Sequence, residues 1–198
     1  MSFKVGITGG IGAGKSLVAE MFQTFGIPVF NADIEAKKLM EEDPGLIAGI
    51  KKLFGQEIYQ DGNLNKPLLA QQLFADEENR KIINDLVHPK VIDTYDNWIK
   101  KQVHQPYSIK EAALLFEAGT YKDLDKIILV HAPKKIRINR VLMRDSYRTI
   151  SDIERIIEIQ MSDNQKKKLS DYIIINDERK LVIPQVLEIH ERILQEIE

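Results

Sequence analysis

The stretch Gly9-Gly-Ile-Gly-Ala-Gly-Lys-Ser16 decides the fold of this chain. It puts Gly9, Gly14, Lys15 and Ser16 on the fixed positions of the pattern G-x-x-x-x-G-K-[ST]. Phosphate chemistry needs these residue types at this spacing. Glycines let the backbone turn tightly and aim several N–H groups at phosphate oxygens. The helix that follows turns its positive end to the same anion. Lys15 adds a mobile positive charge for the outer phosphates, and the Ser16 hydroxyl is a magnesium ligand candidate. The flanks agree: Val5 and Ile7 open a strand-like run before the loop, and Val18, Met21, Phe22 and Phe25 mark one helical face behind it. The competing dinucleotide fingerprint G-x-G-x-x-G matches at Gly10 and Gly12, but its last glycine falls on Lys15. That reading fails.

Outward from the loop, composition sets bounds. A length of 198 residues suits one P-loop core with a subdomain or lid. With 43% apolar and 29% charged residues the chain reads as an ordinary soluble globular protein. A formal net charge of −2 gives no global attraction to nucleic acid or to an anionic membrane, so anion binding has to be local. The absence of cysteine excludes disulfides, thiolate metal sites and cysteine nucleophiles. No charged-then-apolar leader and no run of bilayer length is seen, and the cytoplasm is the expected compartment.

After the loop helix, Gly26-Ile-Pro28 turns into Val29-Phe30, a second strand with Asp33 at or just past its C-terminal end. Ligands of open α/β sheets bind at that edge. From Asp33 to about Gln105 the pattern is helical, with no strand expected. Ile34, Lys38 and Leu39 start one helix, and Leu46, Ile50, Leu53 and Phe54 carry the next, with Gly55 as its stop. Asp61-Gly62 reads as a turn, and Leu68, Leu69, Leu73 and Phe74 as a third helix. A longer helix holds Ile82 to Ile99, and His88-Pro89 is expected to break or kink it. The β/α alternation then resumes. The apolar runs Ala112–Phe116, Lys126–Val130 and Tyr172–Ile175 read as buried parallel strands. Pro133 leads into a basic helix with Arg137, Arg140 and Arg144, and Ser151-Asp-Ile-Glu154 resembles a capping box for the next. Val182 to Ile197 is an amphipathic tail helix.

Several residues are candidates for chemistry. A carboxylate at Asp33, on a strand beside the P-loop, suits a general base toward a hydroxyl nucleophile, or it caps the following helix. Arg140 and Arg144 share a helical face with Arg137 nearby, which suits a transferring phosphoryl group or a surface charge stripe. His88 is a substrate contact or part of a helix break. Glu117 reaches magnesium through water, contacts substrate, or simply ends a strand. Lys166-Lys-Lys168 reads as a solvated face, and Tyr95 and Trp98 as core.

Taken together, these residues resemble the dephospho-CoA kinase family over nearly the whole chain. The resemblance rests on Gly-Ile-Thr-Gly-Gly-Ile-Gly-Ala-Gly-Lys-Ser at 6–16, Ala32-Asp33, Leu86 with His88-Pro89, and Leu114-Leu-Phe-Glu117. It continues through Arg140, Arg144-Asp145, Arg155, Gln160, Ser170-Asp171 and Asn176. It implies an α/β fold: a P-loop NTPase core with a parallel five-stranded sheet flanked by helices, an inserted helical substrate domain and a helical lid. The implied parts are a nucleotide-binding core at 1–32, 110–143 and 163–198, a CoA-binding subdomain at 33–109, and a lid at 144–162.

The resemblance also implies ATP and Mg2+, with dephospho-CoA as acceptor and neither nucleic acid nor membrane as partner. Asp33 would be the base toward the ribose 3′-hydroxyl, with Lys15 and Arg140 as its catalytic companions. Gly10, Gly12, Ala13, Gly14, Lys15, Ser16, Leu17, Arg144 and Asn176 would bind ATP, Asn176 near the adenine, and Ser16 the metal. Asp33, Lys37, His88, Glu117 and Arg155 would contact the acceptor. The chain departs from the family pattern at Leu17, Asn31, Lys37, Ala113, Arg137 and Ser170. A related small-molecule kinase for a nucleotide or sugar acid is the alternative. A GTPase-type switch lacks its Asn-Lys-x-Asp pattern here.

Overall fold

The computed structural model describes residues 3–198, apart from the side chain of Phe74. It divides into two units, one of the chain up to Asn31 together with Lys101–Glu198, the other Ala32–Lys100.

The first unit is built on five parallel strands: β1 (Phe3–Thr8), β2 (Val29–Asn31), β5 (Tyr107–Glu111), β6 (Lys126–His131) and β7 (Tyr172–Ile175). Their order is β2-β5-β1-β6-β7, with Val5 opposite Ile109 on one side and Lys126 on the other. Helix α1 (Lys15–Thr24) and the tail helix α9 (Val182–Ile197) bury Val18, Phe22, Val186, Ile189 and Ile193 with Val5, Ile7, Tyr107 and Ile109. The unit also holds α6 (Lys134–Arg144), α7 (Ile150–Ile159) and α8 (Asp163–Lys168), with α8 against β6 and α6 against α7.

Two expectations about this sheet are corrected. The strand expected at Ala112–Phe116 lies five residues earlier, at Tyr107–Glu111, although that stretch carries Ser108, Lys110 and Glu111, all buried. The apolar run that follows instead covers the sheet: a Cβ on Gly6 would press on Leu115 and Leu124 side chains at 2.8 and 2.7 Å. Hydrophobicity marked what lies over the strand, and the strand itself tolerates charge because its carboxylate is paired. The second correction is strand order. The neighbours of the P-loop strand are β5 and β6, and β2 lies beyond β5. A long connection after β2 lets β5 insert between them, which no local pattern reveals.

Lys166 is a third correction. It is fully buried rather than solvated, with Nζ 3.1 Å from Glu117 Oε1 and donating to the Ala113 carbonyl at 3.3 Å. The cap of α7 also moves: Thr149 and Asp152 form the capping box, two residues before the expected Ser151. Thr149 Oγ1 accepts from Asp152 N at 3.2 Å, and Asp152 Oδ2 accepts from Thr149 N at 2.9 Å.

The second unit holds α2 (Ala32–Glu42), α3 (Pro44–Phe54), α4 (Lys66–Ala75) and α5 (Glu77–Ile99). Gly55 ends α3 as expected, at φ 95°. Where no strand was expected, β3 (Tyr59–Gln60) and β4 (Asn63–Leu64) pair antiparallel about Asp61-Gly62. Both turn residues have positive φ, the condition a tight two-residue hairpin imposes. Helix α5 runs through Pro89 without ending at His88. Proline removes one backbone donor, while the buried stripe Ile83, Val87, Val91 and Tyr95 continues at four-residue spacing on both sides of it. That packing outweighs the missing bond.

Candidate functional site

The P-loop joins the end of β1 to α1, whose N-cap is Gly14 in the left-handed region at φ 94°. Only glycine takes that conformation cheaply, and a Cβ there would also collide with Asn176 Nδ2. Gly10 is held to glycine by a different neighbour, since a Cβ would overlap the Arg137 guanidinium. The loop closes on itself through Ala13 N–H donating to the Gly10 carbonyl at 3.1 Å.

Beneath the helix end, Ser16 Oγ donates to Glu111 Oε1 at 2.8 Å, and Asn31 Nδ2 donates to Glu111 Oε2 at 2.6 Å. Glu111 ends β5, the strand beside β1, and is only 3% exposed. A buried carboxylate of this kind persists because both oxygens are hydrogen-bonded. Hydroxyl and carboxylate oxygens are the ligands a hard cation such as magnesium accepts, so the chemistry of this pair fits such an ion. Sequence reading missed Glu111. Its signal was a charged Lys110-Glu111 between Ile109 and Ala112, which reads as an interruption only when strands are expected to be apolar.

On the other flank, Asn176 directly follows β7 and is 7% exposed. Its Nδ2 donates to the Ala13 carbonyl at 2.9 Å, and its Oδ1 accepts from Arg140 Nη2 at 3.1 Å. One amide thus bridges the P-loop and α6. Arg140 also meets Glu178 Oε1 at 3.3 Å, while its Nη1 is buried with no hydrogen-bond partner among the described residues. Arg137, almost wholly buried, pairs with Asp163 Oδ2 at 3.2 Å, and its Nε has no hydrogen-bond partner among the described residues. Asp163 is shared with His131 Nδ1 at 3.4 Å, whose Nε2 lies 3.3 Å from Lys167 Nζ. Burial first, then the Lys167 charge, holds His131 below its ordinary value despite Asp163. Buried cationic donors beside such a loop are groups an anion would favour.

The remaining candidates divide. Arg144 is exposed and clamped on Asp145 through two bonds of 2.9 Å, with Arg148 on the same carboxylate at 3.2 Å. The Arg144 pair, with its hydrogen bond as the larger influence, depresses the Asp145 carboxyl. Glu117 is occupied by Lys166 and by Met161 N–H at 2.7 Å. Arg155 on α7 and Leu17 on α1 are exposed. Asp33, half-buried in the first turn of α2, Lys37, exposed on the same helix, and His88, half-buried on α5, all belong to the second unit. No group of three metal-ligating His, Asp or Glu side chains occurs among the described residues. No described helix is long and apolar enough to cross a membrane.

Comparison with known proteins adds the following. The family model described as dephospho-CoA kinase matches residues 3–181. A dephospho-CoA kinase of Bacteroides fragilis is 37% identical over 197 residues, covering 100% of this chain and 96% of its own. The crystal structure of a Thermus thermophilus protein superposes with a TM-score of 0.84 at 28% identity, covering 100% of this chain and 98% of that one. A dephospho-CoA kinase from Campylobacter jejuni superposes with a TM-score of 0.71 at 22% identity over the full length of both chains, a likeness of fold.

Proposed function

Because the chain belongs to the dephospho-CoA kinase family, we propose that it transfers the γ-phosphoryl group of ATP to the ribose 3′-hydroxyl of dephospho-CoA. The observation that carries this reading is the P-loop flanked by Glu111 on one side and by Arg140 and Asn176 on the other. Hydroxyl, carboxylate, amide and guanidinium groups of this kind are what triphosphate binding draws on, which supports the reading.

In the reaction, the 3′-oxygen forms a bond to the γ-phosphorus, the bond from that phosphorus to the β–γ bridging oxygen breaks, and ADP leaves. The hydroxyl proton passes to Asp33. Lys15 neutralises the outer phosphates, and Arg140 Nη1 gains in the transferring group the acceptor it lacks. Backbone N–H groups of Gly12, Gly14, Lys15 and Ser16 hold the phosphates from below. Ser16 and Glu111, the latter directly or through water, would hold magnesium. When bound, that ion offsets charge between the β- and γ-phosphates.

Lys37, His88 and Arg155 are proposed acceptor contacts, and the segment 144–162 a lid that keeps water from the phosphoryl group. Arg144 is held on Asp145 through Nε and Nη2, and its contact with ATP is proposed for a closed state. Glu117 is proposed to act by fixing Lys166 and Met161 rather than by touching the acceptor. Asn176, expected near the adenine, is also proposed to serve ATP by holding the Ala13 carbonyl of the loop. The cytoplasm suits such a reaction.

The deciding experiment is incubation of the purified chain with ATP, magnesium and dephospho-CoA, following CoA and ADP by mass and chromatography. ATP- and magnesium-dependent CoA formation is expected. Turnover of a different hydroxyl acceptor in its place would overturn the substrate assignment.

A further inference from the structure

The residue Gln160 touches the P-loop from outside, and neither the loop motif nor the chemistry above calls for it. Its Oε1 accepts the Ile11 N–H at 3.0 Å, across 149 positions of chain. The loop's internal bond, Ala13 N–H to Gly10, leaves the Ile11 N–H needing an outside acceptor, and Gln160 provides it.

The geometry behind Gln160 makes this contact a built one. Gln160 is the C-cap of α7, in extended conformation at φ −78° and ψ 144°. The next residue, Met161, is pinned by its N–H to Glu117 Oε1 at 2.7 Å. Glu117 is in turn fixed by the buried Lys166 of α8. Ser162 caps α8 through a reciprocal pair with Gln165. The joint between α7 and α8 is therefore anchored, and the Gln160 side chain reaches the loop from a fixed base. A second side chain, Asn176, donates from Nδ2 to the Ala13 carbonyl. Ile11 and Ala13, two residues apart, are gripped by two neutral side-chain amides from distant segments.

We propose that Gln160 is a positioning residue for the phosphate donor: by accepting the Ile11 N–H it holds the first half of the P-loop in the shape that receives the triphosphate. This rests on the kinase reading above. The amide suits the position for a physical reason. A glutamate would accept the same N–H but would set a negative charge beside a loop that binds an anion. The bond also ties the end of α7, within the proposed lid, to the loop.

The test compares Gln160→Met, which keeps length and loses the acceptor, with Gln160→Glu, which keeps the acceptor and adds charge. Hydrogen exchange at the Ile11 amide and ATP affinity are read for each, with kinetics for both substrates. For Gln160→Met, exchange at Ile11 should quicken and ATP binding weaken about three- to tenfold, as one neutral hydrogen bond warrants, while KM for the acceptor stays near wild type. For Gln160→Glu, Ile11 should stay protected and ATP binding should weaken further. Wild-type exchange and ATP affinity in Gln160→Met would overturn the proposal, as would a lowered unfolding midpoint with neither reading changed. If the wild-type chain binds ATP but leaves dephospho-CoA untouched, the kinase reading falls alone, because the exchange and ATP-binding measurements use no acceptor.

Discussion

Ser16 and Glu111, 95 positions apart, meet through a hydroxyl-to-carboxylate hydrogen bond of 2.8 Å at the adjoining ends of the P-loop helix and strand β5. Parallel pairing of β5 with β1 brings them together, with Ile7 opposite Glu111 in register. Asn31, ending β2, takes the other carboxylate oxygen. Two strands and the P-loop helix converge on one acidic group.

Glu111→Gln should therefore raise the magnesium concentration needed for half-maximal activity about 10- to 100-fold, the usual cost of disturbing groups around a bound metal. Binding of metal-free ATP should change little. Magnesium titrations at saturating ATP measure this, and an unchanged midpoint would remove Glu111 from the metal site.

Asp33→Asn removes the proposed proton acceptor at nearly constant size. Turnover is expected to fall by about 10²–10⁴-fold, with ATP affinity near wild type. Steady-state kinetics beside ATP-binding calorimetry separate the two, and near-normal turnover would refute the role. Lys15→Ala, by contrast, should weaken ATP handling itself.

Lys166 and Glu117 form an ion pair whose lysine is fully buried. Lys166→Ala leaves the carboxylate without its charge partner and should destabilise the chain by about 3–5 kcal/mol in urea unfolding. Glu117→Gln combined with Lys166→Met removes both charges and should recover much of that loss. A double variant as unstable as Lys166→Ala would show that shape, not charge, dominates there.

His190 joins α9 to the sheet: its Nδ1 lies 2.7 Å from the Tyr107 hydroxyl, and its ring stacks on Phe25 with centroids 5.1 Å apart. Burial holds both His190 and His131 below their ordinary value, while it pushes the Tyr107 hydroxyl up. For a histidine with a depressed folded-state value, the unfolded chain binds more protons. Stability is then fully present above about pH 6.5 and drains as pH falls toward the folded-state value. Thermal midpoints should drop on acidification from neutral pH, and His190→Gln, which still offers Tyr107 an acceptor, should make that drop smaller. An equal drop in the variant would remove His190 as a contributor.

Much of the site was legible in the chain because its chemistry is local. Gly10, Gly14, Lys15 and Ser16 lie within seven residues of chain, and backbone conformation at that range follows directly from residue type. Gly55 as a helix stop and the Asp61-Gly62 turn were legible for the same reason. Ala112–Phe116 misled because apolar character reports burial, and burial here belongs to the cover over Gly6 rather than to the strand. Lys166 misled because a run of three lysines conceals which one turns inward; its partner Glu117 lies 49 residues earlier.

By itself, then, the sequence determined the phosphate loop, the family, and the alternation of strands and helices. These follow from short-range sterics, from periodicity, and from motifs whose members are neighbours. Only the tertiary structure decided that β5 lies against the P-loop strand, that Glu111 rather than Glu117 faces Ser16, and that Asn176 and Gln160 each bond to the loop backbone. Strand order and the pairing of buried polar groups arise from long-range burial, where a charge is kept only if a distant partner satisfies it.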